Sequence, residues 1–147
     1  MLPDGYSTEL SPAATEWWSL AAKRLAKGRL IAFDYGHGPA DWPAANQSDG
    51  TVRGYRGQKR IDDILADPGQ QDITAHANFG LAKLAGEAAG LSTEKFTSQE
   101  RFLNGAFVDL LRSSPALGQA IDVRQLQTLT HPAHMGQPFR VLVQSRD

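Results

Sequence analysis

Two stretches of the chain hold side chains able to move a proton or orient a charge. Asp72-Ile73-Thr74-Ala75-His76 alternates polar with apolar residues. In an extended backbone that alternation puts the carboxylate, the hydroxyl and the imidazole on one side. Such a set can handle protons; the competing account is that Asp72 and Thr74 cap or turn the chain while His76 is a hydrogen-bonded, half-buried residue. The second stretch is Gly28-Arg29-Leu30-Ile31-Ala32-Phe33-Asp34-Tyr35-Gly36, whose apolar run stops at Asp34. A run of this kind between glycines reads as a strand covered on both faces, as in the middle of a parallel sheet. Asp34 then stands at the strand's carboxyl end, where open α/β sheets place their ligands.

Other clusters carry less chemistry. Gly36-His37-Gly38 has the start of a dinucleotide loop, whose glycines let the backbone approach a pyrophosphate. Asp41 stands where the third glycine belongs and no apolar periodicity follows, so that motif is rejected. Residues 37–50 read instead as a long polar loop, a length that accompanies function or disorder. Arg53, Arg56, Lys59 and Arg60 form a basic cluster with only Tyr55 among them, a solvated or substrate-facing patch and not a nucleic-acid footprint. His131-Pro132-Ala133-His134 has no carboxylate nearby and a Pro that favours a loop, so no metal site is expected. A hydrolase built on Asp72 and His76 lacks a nucleophile, for there is no Gly-x-Ser-x-Gly elbow and no cysteine.

These residues need elements to position them. Ser11-Pro12 starts a helix, with Ser11 as cap and Pro12 in the first turn. It is expected to run to about Lys27, turning Trp17, Leu20, Ala21 and Leu25 inward with Trp18 at the margin. Met1 to Leu10 shows no packing pattern of its own. A short extended segment follows Asp49-Gly50, and Ile61, Ile64 and Leu65 suggest a helical turn ended by Asp67-Pro68-Gly69. Asn78 caps a helix with Leu81, Leu84, Ala85 and Ala88 inward, closed by Gly90. Leu91 to Phe96 reads as a strand, and Thr97-Ser98-Gln99-Glu100 as a capping box opening the next helix. Ser114-Pro115 starts a further helix that carries Leu117, Ile121 and Leu129, and Phe139 to Gln144 closes the chain as a strand.

That order resembles the second half of a seven-stranded methyltransferase fold, where a fifth strand is followed by a sixth and the seventh turns back antiparallel between them. The residues make the resemblance more specific. Glu9-Leu10-Ser11-Pro12-Ala13-Ala14, Asp34-Tyr35-Gly36, Ser48-Asp49-Gly50-Thr51 with Tyr55-Arg56, Pro68-Gly69 with Asp72 to His76, Asn78-Phe79, Gln99 with Phe102-Leu103, and Met135-Gly136 with Phe139 to Leu142 follow one another in the family's order. The chain resembles the MidA-like family of SAM-dependent methyltransferases, which includes a mitochondrial complex I assembly factor that methylates a protein arginine.

The resemblance covers nearly the whole chain and implies an α/β fold, the carboxyl-terminal half of a Rossmann-like class I methyltransferase. The family's glycine-rich turn and the acidic residue after its second strand are not found, so residues 1–147 are expected to form one incomplete domain lacking the amino-terminal SAM-binding half. The implied activity is SAM-dependent protein methylation directed at arginine, with S-adenosyl-L-methionine as cofactor, and the chain is expected to be inactive without that half. No cofactor-binding residue is assigned within this chain. An arginine acceptor needs carboxylates to orient its guanidinium, for which Asp34 and Asp72 are the candidates. Tyr35, Thr74 and His76 would shape the pocket, His76 as a proton acceptor, and Gly36, Tyr55 and Arg56 would meet the substrate.

At 147 residues the chain has the length of one domain, and 41% apolar with 21% charged residues is ordinary for a globular protein. A net charge of −1 gives no field that would gather nucleic acid or an anionic membrane. No apolar run approaches the roughly 20 residues needed to span a bilayer, and no basic-then-apolar leader is seen. The expectation is therefore a cytoplasmic protein. The strand at Leu30 to Asp34 would have a neighbour on each side, one of them outside this sequence, and a bare apolar edge invites pairing. Besides a protein substrate, the expected partners are a separately encoded amino-terminal half or a second copy meeting that edge. The competing function is a non-catalytic protein-binding module derived from the same family.

Overall fold

The computed structural model describes residues 4–38 and 49–147. In chain order the elements are α1 (Pro12–Arg24), β1 (Gly28–His37), β2 (Arg53–Arg56), β3 (Lys59–Ile61), β4 (Asp72–Thr74), β5 (Ala77–Asn78) and α2 (Phe79–Ala88). Then come β6 (Ser92–Ser98), α3 (Gln99–Ser113), α4 (Pro115–Gln119), α5 (Val123–Thr130), a π-helical turn (Pro132–Gly136) and β7 (Phe139–Arg146). Four strands form one sheet in the order β5-β1-β7-β6, and β3-β2-β4 form a second, smaller one. β7 runs antiparallel to β1 from Gly28↔Arg146 to Tyr35↔Phe139, and antiparallel to β6 on its other side. The expected arrangement, a last strand turned back between two that run the same way, is present.

Local chemistry explains the helix starts. The Ser11 hydroxyl accepts from the Ala14 amide, and the Asn78 side chain accepts from the Leu81 amide. α1 stops at Arg24, three residues short of the expected end. The capping box is not formed: Ser98 is the cap residue, accepting from the Arg101 amide, so Glu100 falls one position short of the reciprocal bond. The helix expected from Ser114 onward is two helices. Ser114 makes no side-chain cap bond, and Asp122 starts α5 by accepting from the amides of Arg124 and Gln125. Ile61, Ile64 and Leu65 form no helical turn, because Gly57 and Gln58, both at positive φ, fold β2 and β3 into a two-residue hairpin.

The core lies between the main sheet and α1 with α2. Trp18, Phe79 and Leu142 are its buried centre, with Leu30, Ala32 and Phe96 against them. The two tryptophans exchange the places expected of them: Trp18 is 5% exposed and Trp17 62%. The reason is a buried polar partner. The Trp18 indole Nε1 donates to the Gln144 Oε1 at 2.7 Å, while the Gln144 Nε2 donates to the Lys83 carbonyl and the Thr93 hydroxyl, each at 2.9 Å. A side-chain amide with no exposed surface is tolerated because every group is answered. At the end of β7, Arg146 Nη2 donates to the carbonyls of Ala22 and Ala89, fixing the carboxyl ends of both helices to the sheet.

β1 is covered on one face only in part. Phe33 meets Phe102 of α3 edge-on at 5.3 Å, yet Ile31, Phe33 and Tyr35 keep 44–45% of their surface exposed. One edge of β1 is also open. β5 pairs with it in parallel only at Gly36↔Ala77 and His37↔Asn78, and along Gly28–Tyr35 no strand joins that edge among the described residues. A cavity of about 700 Å³ runs beside the open stretch, walled by Trp17, Ile31, Phe33, Phe79 and Leu81 and reaching Asp34 and His76.

Candidate functional site

The carboxyl end of β1 and the start of β5 meet at a glycine. A Cβ on Gly36 would strike the Ala77 carbonyl and stand 2.5 Å from the Phe79 ring, so only glycine lets β5 lie this close. The parallel register pairs His37 with Asn78, and His76, two residues before Asn78, is the diagonal neighbour of His37. His37 Nε2 and His76 Nδ1 are 2.9 Å apart, one donating to the other. The Tyr35 ring lies nearly parallel to that of His76, with centroids 6.3 Å apart, and packs at 4.0 Å against its cross-strand partner Phe139. Asp34 Oδ1 accepts from the Tyr35 amide at 2.7 Å.

Behind the histidines stands a carboxylate from the amino-terminal segment. Glu9 Oε1 accepts from the amides of Thr51 and Val52 at 2.6 and 2.8 Å, and its Oε2 accepts from the Thr51 hydroxyl at 3.1 Å. The same hydroxyl accepts from the His76 amide at 2.9 Å. Gly50, at φ +69, gives the backbone the turn this needs, and a Cβ there would collide with the Glu9 carboxylate. Partial burial opposes ionisation of Glu9, but the Val52 and Thr51 amides and the Thr51 hydroxyl outweigh it and hold the carboxyl below its ordinary value. His76 is pushed the same way. Burial lowers its pKa, the neighbouring His37 and Arg53 lower it further, and Glu9 and Asp34 only partly offset them. Glu9, His37, Thr51 and His76 enclose about 10 Å³, too little for a ligand and barely enough for one water.

Of the residues expected to act together, Asp34, Tyr35, Gly36 and His76 are gathered at this strand end. Asp72 and Thr74 are not joined to His76. β4 stops at Thr74, both side chains are exposed, and no hydrogen bond links either to His76 among the described residues. The alternation fails because the Thr51 hydroxyl captures the His76 amide and draws that residue toward the main sheet. Tyr55 lies opposite Asp72 in the small sheet, and Arg56 is paired with Asp67 at 2.7 Å. Glu9, His37 and Thr51 are additions that sequence reasoning passed over. His37 sat in a stretch set aside with the dinucleotide loop, and Glu9 in one without a packing pattern. Most of the expected polar loop, residues 39–48, lies outside the described residues. Among the described residues no group of three or more His, Cys, Asp or Glu is placed to hold a metal.

Comparison with known proteins now supplies the family. A family described as "putative S-adenosyl-L-methionine-dependent methyltransferase" matches residues 1–97. The chain belongs to that family. Two solved structures from Burkholderia thailandensis superpose on 99% of this methyltransferase-family chain. One does so with a TM-score of 0.85 at 32% identity. The other, bound to S-adenosyl-homocysteine, has a TM-score of 0.82 at 31% identity. Among curated proteins, the mitochondrial protein arginine methyltransferase NDUFAF7 of Xenopus laevis is 31% identical over 121 residues and that of Danio rerio 30% over 125. The chain spans 25–28% of the length of these curated relatives and 38–40% of the solved ones. The family resemblance drawn from the residues therefore stands, and so does the Rossmann-like α/β fold class. The cytoplasmic expectation does not, since the curated relatives are all named as mitochondrial proteins.

At this strand end Glu9 is not free to hold the ribose hydroxyls of a nucleoside sulfonium, and Asp34 is free only in part. Such a cofactor asks for a carboxylate to hold ribose hydroxyls and for unspent amides. Both oxygens of Glu9 are spent on Thr51 and Val52, and one of Asp34 on the Tyr35 amide. Among the described residues the other oxygen of Asp34 and the Nε2 of His76 make no hydrogen bond, and both residues line the cavity.

Proposed function

We propose that this chain forms the acceptor side of a SAM-dependent protein methyltransferase, directed at arginine, whose cofactor side is supplied by further polypeptide along the open edge of β1. One observation carries this reading: nearly the whole chain superposes on a protein bound to S-adenosyl-homocysteine while spanning only 38% of it. The open edge of β1 and the cavity beside it agree with it, since they leave room for a strand where the described residues supply none.

Methyl transfer asks chiefly for an in-line approach of the acceptor nitrogen, so positioning carries much of the barrier reduction. In this reading the unspent oxygen of Asp34 orients a guanidinium by a charge-assisted hydrogen bond. Tyr35 and Gly36 shape the floor, and His76 takes up a proton. Asp72, Thr74, Tyr55 and Arg56, all on the small sheet, would meet the substrate farther out.

Calorimetry with S-adenosyl-homocysteine tests the proposal. The chain alone should show no binding; co-expressed with the part of the Burkholderia relative outside the match, it should form a complex that binds. A complex without binding would replace this reading by the non-catalytic protein-binding module. Binding by the chain alone would overturn the assignment of the cofactor side.

A further inference from the structure

The bonds around His76 form a connected series that runs through three residues with no role in the proposed reaction. The Glu9 carboxylate receives the Thr51 hydroxyl proton and two amides, which fixes the hydroxyl's direction. The lone pair thus presented takes the His76 amide. His37, delivered by the parallel bridge of β1 with β5, takes or gives the single proton between its Nε2 and His76 Nδ1. We infer that Glu9, Thr51 and His37 are positioning residues for His76: the first two fix its backbone, and the third pins its ring through Nδ1.

The consequence is chemical. When His76 Nδ1 carries the N–H and donates it to His37 Nε2, the His76 Nε2 is the bare nitrogen able to take a proton from a ligand in the cavity that His76 lines. On receiving that proton the ring becomes an imidazolium, and the ligand's N–H bond breaks. The tight interior of the cluster favours a device over an open site, since there is no room for a ligand between the two rings. The purpose of the device rests on the proposed methyl-transfer reading, but its existence is testable without any methylation.

The charged and titratable neighbours that act on His76 come from several elements: His37 and Asp34 on β1, Arg53 on β2 and Glu9 in the segment before α1. Their signs differ, which gives the experiment its discrimination. A histidine-selective NMR titration of the intact chain follows four residues, and His131 with His134 serve as internal references. His37→Gln should raise the His76 pKa, because a neighbour that disfavours its charge is removed. Glu9→Gln should lower it further, because a carboxylate that favours the charge is removed. Simple loosening of the segment would release the ring into water and raise the value, so a rise or no change in Glu9→Gln overturns the inference. Thr51→Val should speed exchange of the His76 amide by roughly tenfold, the equivalent of one hydrogen bond, and Thr51→Ser should restore it. Unchanged exchange in Thr51→Val also overturns it. Loss of methylation with these NMR signatures intact would count against the proposed reaction and not against the device.

Discussion

Gly86 lies in the interior of α2, where helix propensity alone says that alanine should be better. In an exposed helix interior, Gly→Ala gains about 1 kcal/mol. Here the sign reverses. A Cβ on Gly86 would strike the Gln144 Oε1, stand 2.7 Å from the Gln144 Cδ and lie 2.9 Å from the Trp18 Nε1. Neither neighbour can yield cheaply, because both belong to the buried bond that replaces the expected Trp17 packing. Overpacking costs about 1–3 kcal/mol, and leaving the indole N–H unanswered costs about 1–3 kcal/mol more. After the propensity gain, Gly86→Ala should lose about 1–5 kcal/mol. At about 2–4 °C per kcal/mol for a chain of this size, the melting temperature should fall by at least about 2 °C. Gly105 in α3 supplies the control, since nothing lies within 4 Å of its would-be Cβ. Gly105→Ala should therefore gain about 1 kcal/mol. Paired thermal and urea unfolding of the two variants reads the difference. A Gly86→Ala protein that melts at or above the parent would refute the account of the core.

Stability should also depend on pH with a fixed sign. The folded-state values of His76 and Glu9 are both depressed, so each contributes stability that is present above its ordinary pKa, 6.5 and 4.5, and lost as the pH falls through its folded value. Urea midpoints should fall on acidification first through the histidine range and then through the carboxylate range, where Glu87 and Glu94, held down by Lys83 and Arg29, also contribute; Glu9→Gln should shrink the second step, and an unchanged acid limb in that variant would contradict the capture of Thr51. The open edge of β1 predicts concentration-dependent association of the chain by light scattering. Ile31→Lys, which sets a charge on the unpaired strand, should reduce it, and a parent protein that stays monomeric at high concentration would oppose that use of the edge.

Much of the fold was legible because its signals are local. Ser11-Pro12 and Asn78 start helices by bonds spanning three residues, and the apolar run at Leu30 to Phe33 is a strand on any reading. What failed depended on distant partners. Two adjacent tryptophans on a helix differ by only about 100° of rotation, and the choice between them was made by Gln144, 126 residues away from Trp18. The apolar spacing of Ile61, Ile64 and Leu65 covers too few residues to separate a helix from a hairpin. The candidate site was half legible. Asp34 to Gly36 lie in a readable strand, whereas the placing of His76 is decided by a hydroxyl 25 residues earlier and an imidazole 39 residues earlier. No spacing rule carries such information, because it arises only when β5 comes to lie beside β1.

β7 holds more than its share of the molecule: both neighbouring strands pair with it, Gln144 answers Trp18 from it, and Arg146 fastens two helix ends to it. It is also made after every partner it holds. At the roughly 5–20 residues per second of synthesis, β1 leaves the ribosome several seconds before Phe139–Arg146 exists to receive it. Throughout that interval the nascent chain carries two unsatisfied β edges and a tryptophan without its amide. Its vulnerable moment is therefore birth, and the demand for chaperone protection should fall when the eight residues of β7 slot into place.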